Sequence, residues 1–174
     1  MNRLLAIDPG NTESGWVVID ANTCQPLEFG KSNNYDLLEK VWGRAHTHDF
    51  IELDDPVFIE MVASYGMAVG KDVFETCVWI GRFAEACGRD SNGEASQFVY
   101  RRPVKLHHCH SAKAKDSNIR QALVDRFASG QPNYGKGTKA QPGWFYGFNA
   151  DIWQAYALAV YAADTQHNGE GETL

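Results

Sequence analysis

Two short apolar runs in this chain each stop at a carboxylate. Leu4 to Ile7 ends at Asp8-Pro9-Gly10-Asn11, and Val57-Phe58-Ile59, introduced by Pro56, ends at Glu60. Short apolar runs closed by Pro, Gly and Asn read as buried strands ending in tight turns. Trp16 to Ile19 reads as a further strand, Pro26 to Gly30 as a weaker one, and Phe98 to Tyr100 as a fifth. Between them the apolar period lengthens to that of a helix. Asp36 can cap a helix carrying Leu37, Leu38, Val41, Trp42 and Ala45. A second helix, 72–88, places Val73, Cys77, Ile80, Ala84 and Cys87 on one face. Helices over Asn118–Phe127 and 151–163 complete the order β-β-β-α-β-α-β-α-α. Three antiparallel strands followed by alternating strands and helices imply an α/β fold, a mixed five-stranded sheet flanked by helices. The 174 residues suit one domain over 1–166, with a flexible tail at 167–174.

The composition, 44% hydrophobic and 22% charged, is ordinary for a globular protein. No apolar run approaches the roughly 20 residues that span a bilayer. Asp8 comes too early for a signal peptide, so a cytoplasmic location is expected. Cys24, Cys77, Cys87 and Cys109 are scattered, with no Cys-x-x-Cys pair, and read as free or buried thiols. The net charge of −6 conceals a segregation. Residues 1–100 carry 7 basic and 16 acidic side chains, whereas residues 101–139 carry 9 basic against 2 acidic. Because screening limits exposed charges to about 10 Å, such a basic stretch can bind phosphates whatever the total charge. The candidate DNA contacts are Arg101, Arg102, Lys105, Lys113, Lys115, Arg120, Lys136 and Lys139. The plain alternative is a solvated basic face.

Carboxylates at neighbouring strand ends repel each other, and desolvation raises the cost of keeping both charged. A cation between Asp8 and Glu60 removes that cost. Hard oxygen ligands select magnesium, with manganese as a substitute. Two ions roughly 4 Å apart can clamp a phosphodiester, one activating water and the other stabilising the departing 3′ oxygen. Asp151, at the start of the last helix, is a third available acid, although an acid there is also an ordinary helix-end residue.

At these positions the chain resembles the RuvC-type Holliday-junction resolvases. Leu5-Ala6-Ile7-Asp8-Pro9-Gly10, with Gly15-Trp16 following, resembles their first motif, and Phe58-Ile59-Glu60 their second. Asp151 to Val160 resembles their final helix. The segments Lys113–Leu123 and Gly137–Gly147 are similar to phage-encoded members. The resemblance implies an RNase H-like fold, a homodimer and divalent metal. It further implies nicking of two strands in a four-way DNA junction, within a bacterial cell of phage or prophage context. It places Asp8, Glu60 and Asp151 as metal ligands and catalytic residues. The family's last acid falls on Gln154, which can only be an auxiliary ligand. Lys105, Lys113 and Lys115 fall where resolvases keep lysines near the cleaved phosphate, and the 72–88 helix, with Gly81, where they dimerise.

Two other motifs carry less. His107-His108-Cys109-His110 suggests zinc, but adjacent residues of an extended chain point in opposite directions and cannot all reach one ion. Gly130 to Gly137 mimics a phosphate-binding loop but lacks the Ser/Thr and follows a helix rather than a strand. Trp16, Trp42 and Trp79 read as core or interface anchors. Tyr134, Trp144, Phe145 and Tyr146 either stack on unpaired bases or pack under the final helix. A catalytically weak junction-binding module is the alternative function, given Gln154. An actin-like ATPase, whose first strand also ends in an Asp-x-Gly turn, needs a longer chain.

Overall fold

The computed structural model describes residues 2–169 except 48, 49, 53, 65, 67 and 89–95; side chains at 44–47 and 167–169 are also outside the described set. Strands β1 (Arg3–Asp8), β2 (Glu13–Asp20), β3 (Pro26–Asn33), β4 (Val57–Met61) and β5 (Gln97–Tyr100) form one sheet in the order β3-β2-β1-β4-β5. The first three strands are antiparallel, and β4 and β5 join in parallel. This is the mixed sheet expected from the sequence.

Alternation along the strands divides the core in two. Leu4, Ala6, Val17, Ile19 and Phe58 face α3 (Arg101–Cys109), α4 (Asp116–Phe127) and α5 (Ala150–Gly169). Leu5, Ile7, Val18, Val57 and Ile59 face α1 (Asn34–Thr47) and α2 (Lys71–Cys87). Helix α5 is buried nearly all round, from Ile152 to Ala163, because sheet and helices cover both its sides. Tyr156 anchors it: its hydroxyl donates to the Cys24 carbonyl at 2.9 Å and accepts from Trp144 Nε1 at 3.0 Å.

Several expectations need correction. The stretch after β5 is a helix, α3, and Pro103 fits its first turn, where no N–H is needed. The His-His-Cys-His motif therefore closes a helix instead of lying extended. His107 Nε2 meets Asp164 at 2.7 Å, and His108 Nε2 meets the Ala157 carbonyl at 2.8 Å. Both rings thus tie α3 to α5. Helix α1 begins at Asn34, and Asn33, rather than Asp36, caps it by accepting from the Tyr35 N–H. On α2 Cys77 is exposed, because the larger Trp79 and Phe83 take the sheet side. Of the three tryptophans read as core or interface anchors, Trp16 and Trp79 are buried and Trp42 is exposed. Phe145 is buried against Trp153, and Trp144 stacks on Phe127, so these two pack under α5 while Tyr134 and Tyr146 remain exposed. Helix α5 runs to Gly169; residues 170–174 and the Ala45 side chain lie outside the described residues.

Burial holds His108 neutral, pushing its pKa down to about 4. The unfolded imidazole titrates near 6.5. Between these values the unfolded chain binds the extra proton, so this residue's stability contribution is lost as pH falls from about 6.5 towards 4. Chemical denaturation of His108→Phe against the parent should show a gap that changes by about 2 kcal/mol across that window. Parallel pH profiles would contradict this.

Candidate active site

The sheet register builds the site. Asp8 pairs with Gly15, and Gly15 pairs with Lys31. Glu60 follows Ile59, which is level with Ile7 in the parallel ladder, so Glu60 stands beside Asp8. Glu60, Asp8, Gly15 and Lys31 thus form one row across four strands. The alternation of their neighbours puts all four on the α5 face.

Gly15 brings the last helix down onto this row. A Cβ there would lie 2.5 Å from the Asp151 carbonyl oxygen, a separation that real atoms do not tolerate. The turn after Asp8 is held from behind. Buried Ser14 donates to Asn34 Oδ1 at 2.6 Å and accepts from the Gly10 N–H, while Asn34 Nδ2 donates to the Gly10 carbonyl at 2.9 Å.

Asp8 and Glu60 line a cleft of about 340 Å³ with Arg101 and the chain after β4. Burial raises the Asp8 pKa well above its ordinary value; repulsion from Glu60 adds to this, and Arg101 opposes it. Burial likewise raises Glu60, against the lowering effect of Arg101. Arg101 was expected among the DNA contacts, but its guanidinium lies inside the cleft. It reaches Glu60 at 3.2 Å and Asp116 at 2.8 Å, with 16% of its side chain exposed. Asp151 is held by Lys31, whose Nζ lies 3.0 Å from Asp151 and 3.0 Å from Glu13. Among the described residues no three acid, imidazole or thiol groups converge as they do around an ion. The donor chemistry nevertheless suits a hard divalent ion. Two desolvated carboxylates stand side by side with a third acid adjacent. Gln154, one helical turn beyond Asp151, has a buried Oε1 with no hydrogen-bond partner.

Among solved structures, Thermus thermophilus RuvC in complex with a Holliday junction substrate superposes with a TM-score of 0.65 at 13% identity, over 96% of both chains. A second Thermus thermophilus RuvC structure gives 0.57 at 14% identity, again over 96% of both. The fold is RuvC-like. No family model and no curated protein sequence matches the chain.

Within this RuvC-like fold the other basic residues expected on DNA divide by position. Arg102, Lys113, Lys115, Arg120 and Lys139 are exposed, and Lys105 and Lys136 are half-buried. Lys105 is near enough to Glu60 to lower its pKa. Lys113 and Lys115 lead into α4, whose first residue is the Asp116 that pairs with Arg101. Sequence reasoning missed Lys31, Glu13, Asp116 and the Ser14–Asn34 brace. The Gly15-Trp16 pair was the available signal for the α5 contact. Among the described residues no helix is long and apolar enough to cross a membrane.

Proposed function

We propose that this protein is a divalent-metal-dependent endonuclease that cuts branched DNA, resolving four-way junctions by paired nicks. The observation that carries this reading is the row of Glu60 and Asp8 beneath Asp151, two desolvated acids that a cation would stabilise. Asp8, Glu60 and Asp151 hold magnesium, or manganese in its place, with Gln154 Oε1 as an auxiliary donor. When bound, a pair of such ions activates water and neutralises charge on the departing 3′ oxygen. The chain's own groups do the rest. Arg101 and Lys105 supply positive charge beside the carboxylates, where a scissile phosphate needs it. The exposed lysines and arginines of 102–139 hold the backbone at either side without reading sequence.

Two cuts in a two-fold junction call for two centres, and a homodimer supplies them. Trp42 and Val78, 68% and 61% exposed, line a largely apolar groove between α1 and α2 with Leu38 and Gly81, edged by Arg82 and Glu85, a surface suited to a second copy. The cell compartment that fits this activity is the cytoplasm of a bacterial host, with a phage or prophage origin. The neutral Gln154 favours a second reading, a catalytically weak junction-binding protein. A cleavage gel with magnesium over four-way, three-way, flap and duplex DNA tests both. Preferential cutting of the four-way junction supports the nuclease. Tight four-way binding without cutting supports the second reading, and equal handling of duplex contradicts both.

A further inference from the structure

Lys31 ends the row that Glu60 and Asp8 begin, with Gly15 between them. We propose that Lys31 is a positioning residue that holds the Asp151 carboxylate away from Asp8 and Glu60, and so sets how tightly the centre takes its divalent cation. This rests on the metal-centre reading above.

The geometry makes Asp151 a side chain with two destinations. Its backbone is fixed over Gly15, where not even a Cβ fits beneath it. Neighbouring strands lie about 4.8 Å apart, so Asp8 and Lys31 flank that point at roughly equal distance on opposite sides. In the proposed exchange, rotation about its side-chain bonds would carry the carboxylate from one to the other. In this structure it lies on the lysine at 3.0 Å. On the other side stand two more carboxylates, Asp8 and Glu60, side by side in the register, so a third acid is repelled there. A cation between Asp8 and Glu60 reverses the sign of what Asp151 meets on that side.

Glu13 makes the exchange inexpensive. It lies two residues before Gly15 on the same strand face and holds Lys31 Nζ at 3.0 Å. When Asp151 leaves, the ammonium keeps one acid partner. Lys31, Glu13 and Asp151 are 38%, 50% and 41% exposed, so water screens the pairs and the latch is weak enough for a divalent ion to open. The same register sets the Asp151 carboxylate on Lys31 rather than beside Asp8 and Glu60.

Manganese binding to the metal-free protein, followed by the electron-spin-resonance signal of free Mn²⁺, tests this without any cleavage assay. Lys31→Met should lower the Mn²⁺ dissociation constant about fivefold, because Asp151 is released and a nearby positive charge removed. Lys31→Arg should leave it near the parent value. Glu13→Gln leaves Lys31 with Asp151 alone and should weaken Mn²⁺ binding, which keeps the proposal testable if Lys31→Met does not fold. In an Asp151→Asn background both effects should shrink to the small residue that the change of charge alone leaves. Unchanged or weaker binding by Lys31→Met, or the same gain with Asn at 151, overturns the latch. If the parent binds Mn²⁺ and loses it on Asp8→Asn, that failure is the latch's alone. A parent that binds no Mn²⁺ removes the metal centre and the latch together.

Discussion

Asp8→Asn should abolish the proposed magnesium-dependent cutting of a four-way DNA junction, by about three orders of magnitude or more, while leaving junction binding intact or tighter. The amide is a poor ligand for a hard cation and brings no charge, so the transition-state stabilisation is lost almost entirely. Binding should survive because the proposed phosphate contacts lie on basic residues elsewhere, and one negative charge fewer beside the DNA lowers repulsion. The same substitution should stabilise the metal-free protein at neutral pH. The folded pKa of Asp8 is raised by burial and by Glu60, so the folded state binds a proton more readily than the unfolded chain. Stability therefore falls as pH rises through the folded value, and the charge of Asp8 is a liability above it. Asp8→Asn removes that liability, so its advantage in thermal melting without metal should grow with rising pH and disappear below about pH 4. Added magnesium should raise the parent's melting temperature and not the variant's. Cutting by Asp8→Asn at the parent's rate would remove Asp8 from the centre.

Gly15→Val has the second largest effect, for a different reason. Gly15 is not kept for its backbone freedom, since its φ is not among the positive values. It is kept for space. A Cβ would lie 2.5 Å from the Asp151 carbonyl oxygen and 2.7 Å from its carbonyl carbon, and neither atom can rotate away as a side-chain tip could. Valine therefore lifts the first turn of α5 off the sheet. Overpacking of this kind costs about 1–3 kcal/mol, which lowers the melting temperature by on the order of 3–10 °C in a chain of this size. Cleavage should fall by about a hundredfold, because a misplacement near 1 Å moves Asp151 relative to Asp8 and Glu60. Gly15→Ala should show the same pattern in weaker form. Parental melting and cleavage in Gly15→Val would mean that α5 does not depend on this contact.

The strands that carry Asp8 and Glu60 were legible because a buried strand needs an unbroken apolar run and Pro, Gly and Asn mark where it stops. Their adjacency could be inferred from two strand-end acids and was supported by the resemblance, but the register that sets it comes only from pairing across the sheet. Asp151 is ambiguous as a lone acid in a helix's first turn; Gly15 beneath it is what ties it to the row. Helix α3 was hidden by its polar composition and by Pro103, which reads as a breaker unless it falls in a first turn. Lys31 and Arg101 were hidden for a deeper reason. Lys31 lies 120 residues from Asp151, and Arg101 lies 41 residues from Glu60; only the folded register brings these charges to 3.0 and 3.2 Å. A basic residue in a basic stretch looks like an outward surface charge until the fold turns it onto the carboxylates. The same holds for Ser14 and Asn34, 20 residues apart, whose brace on the Gly10 turn has no local signature.

The central claim is that this cleft cuts branched DNA with a divalent metal. Mapping nicks on an end-labelled four-way junction, with and without magnesium, tests it most directly. Two symmetry-related nicks near the crossover are expected with magnesium, none after chelation, and none on the matching duplex. Nicks that persist under chelation, or no cutting of a junction that is fully bound in magnesium, would contradict it.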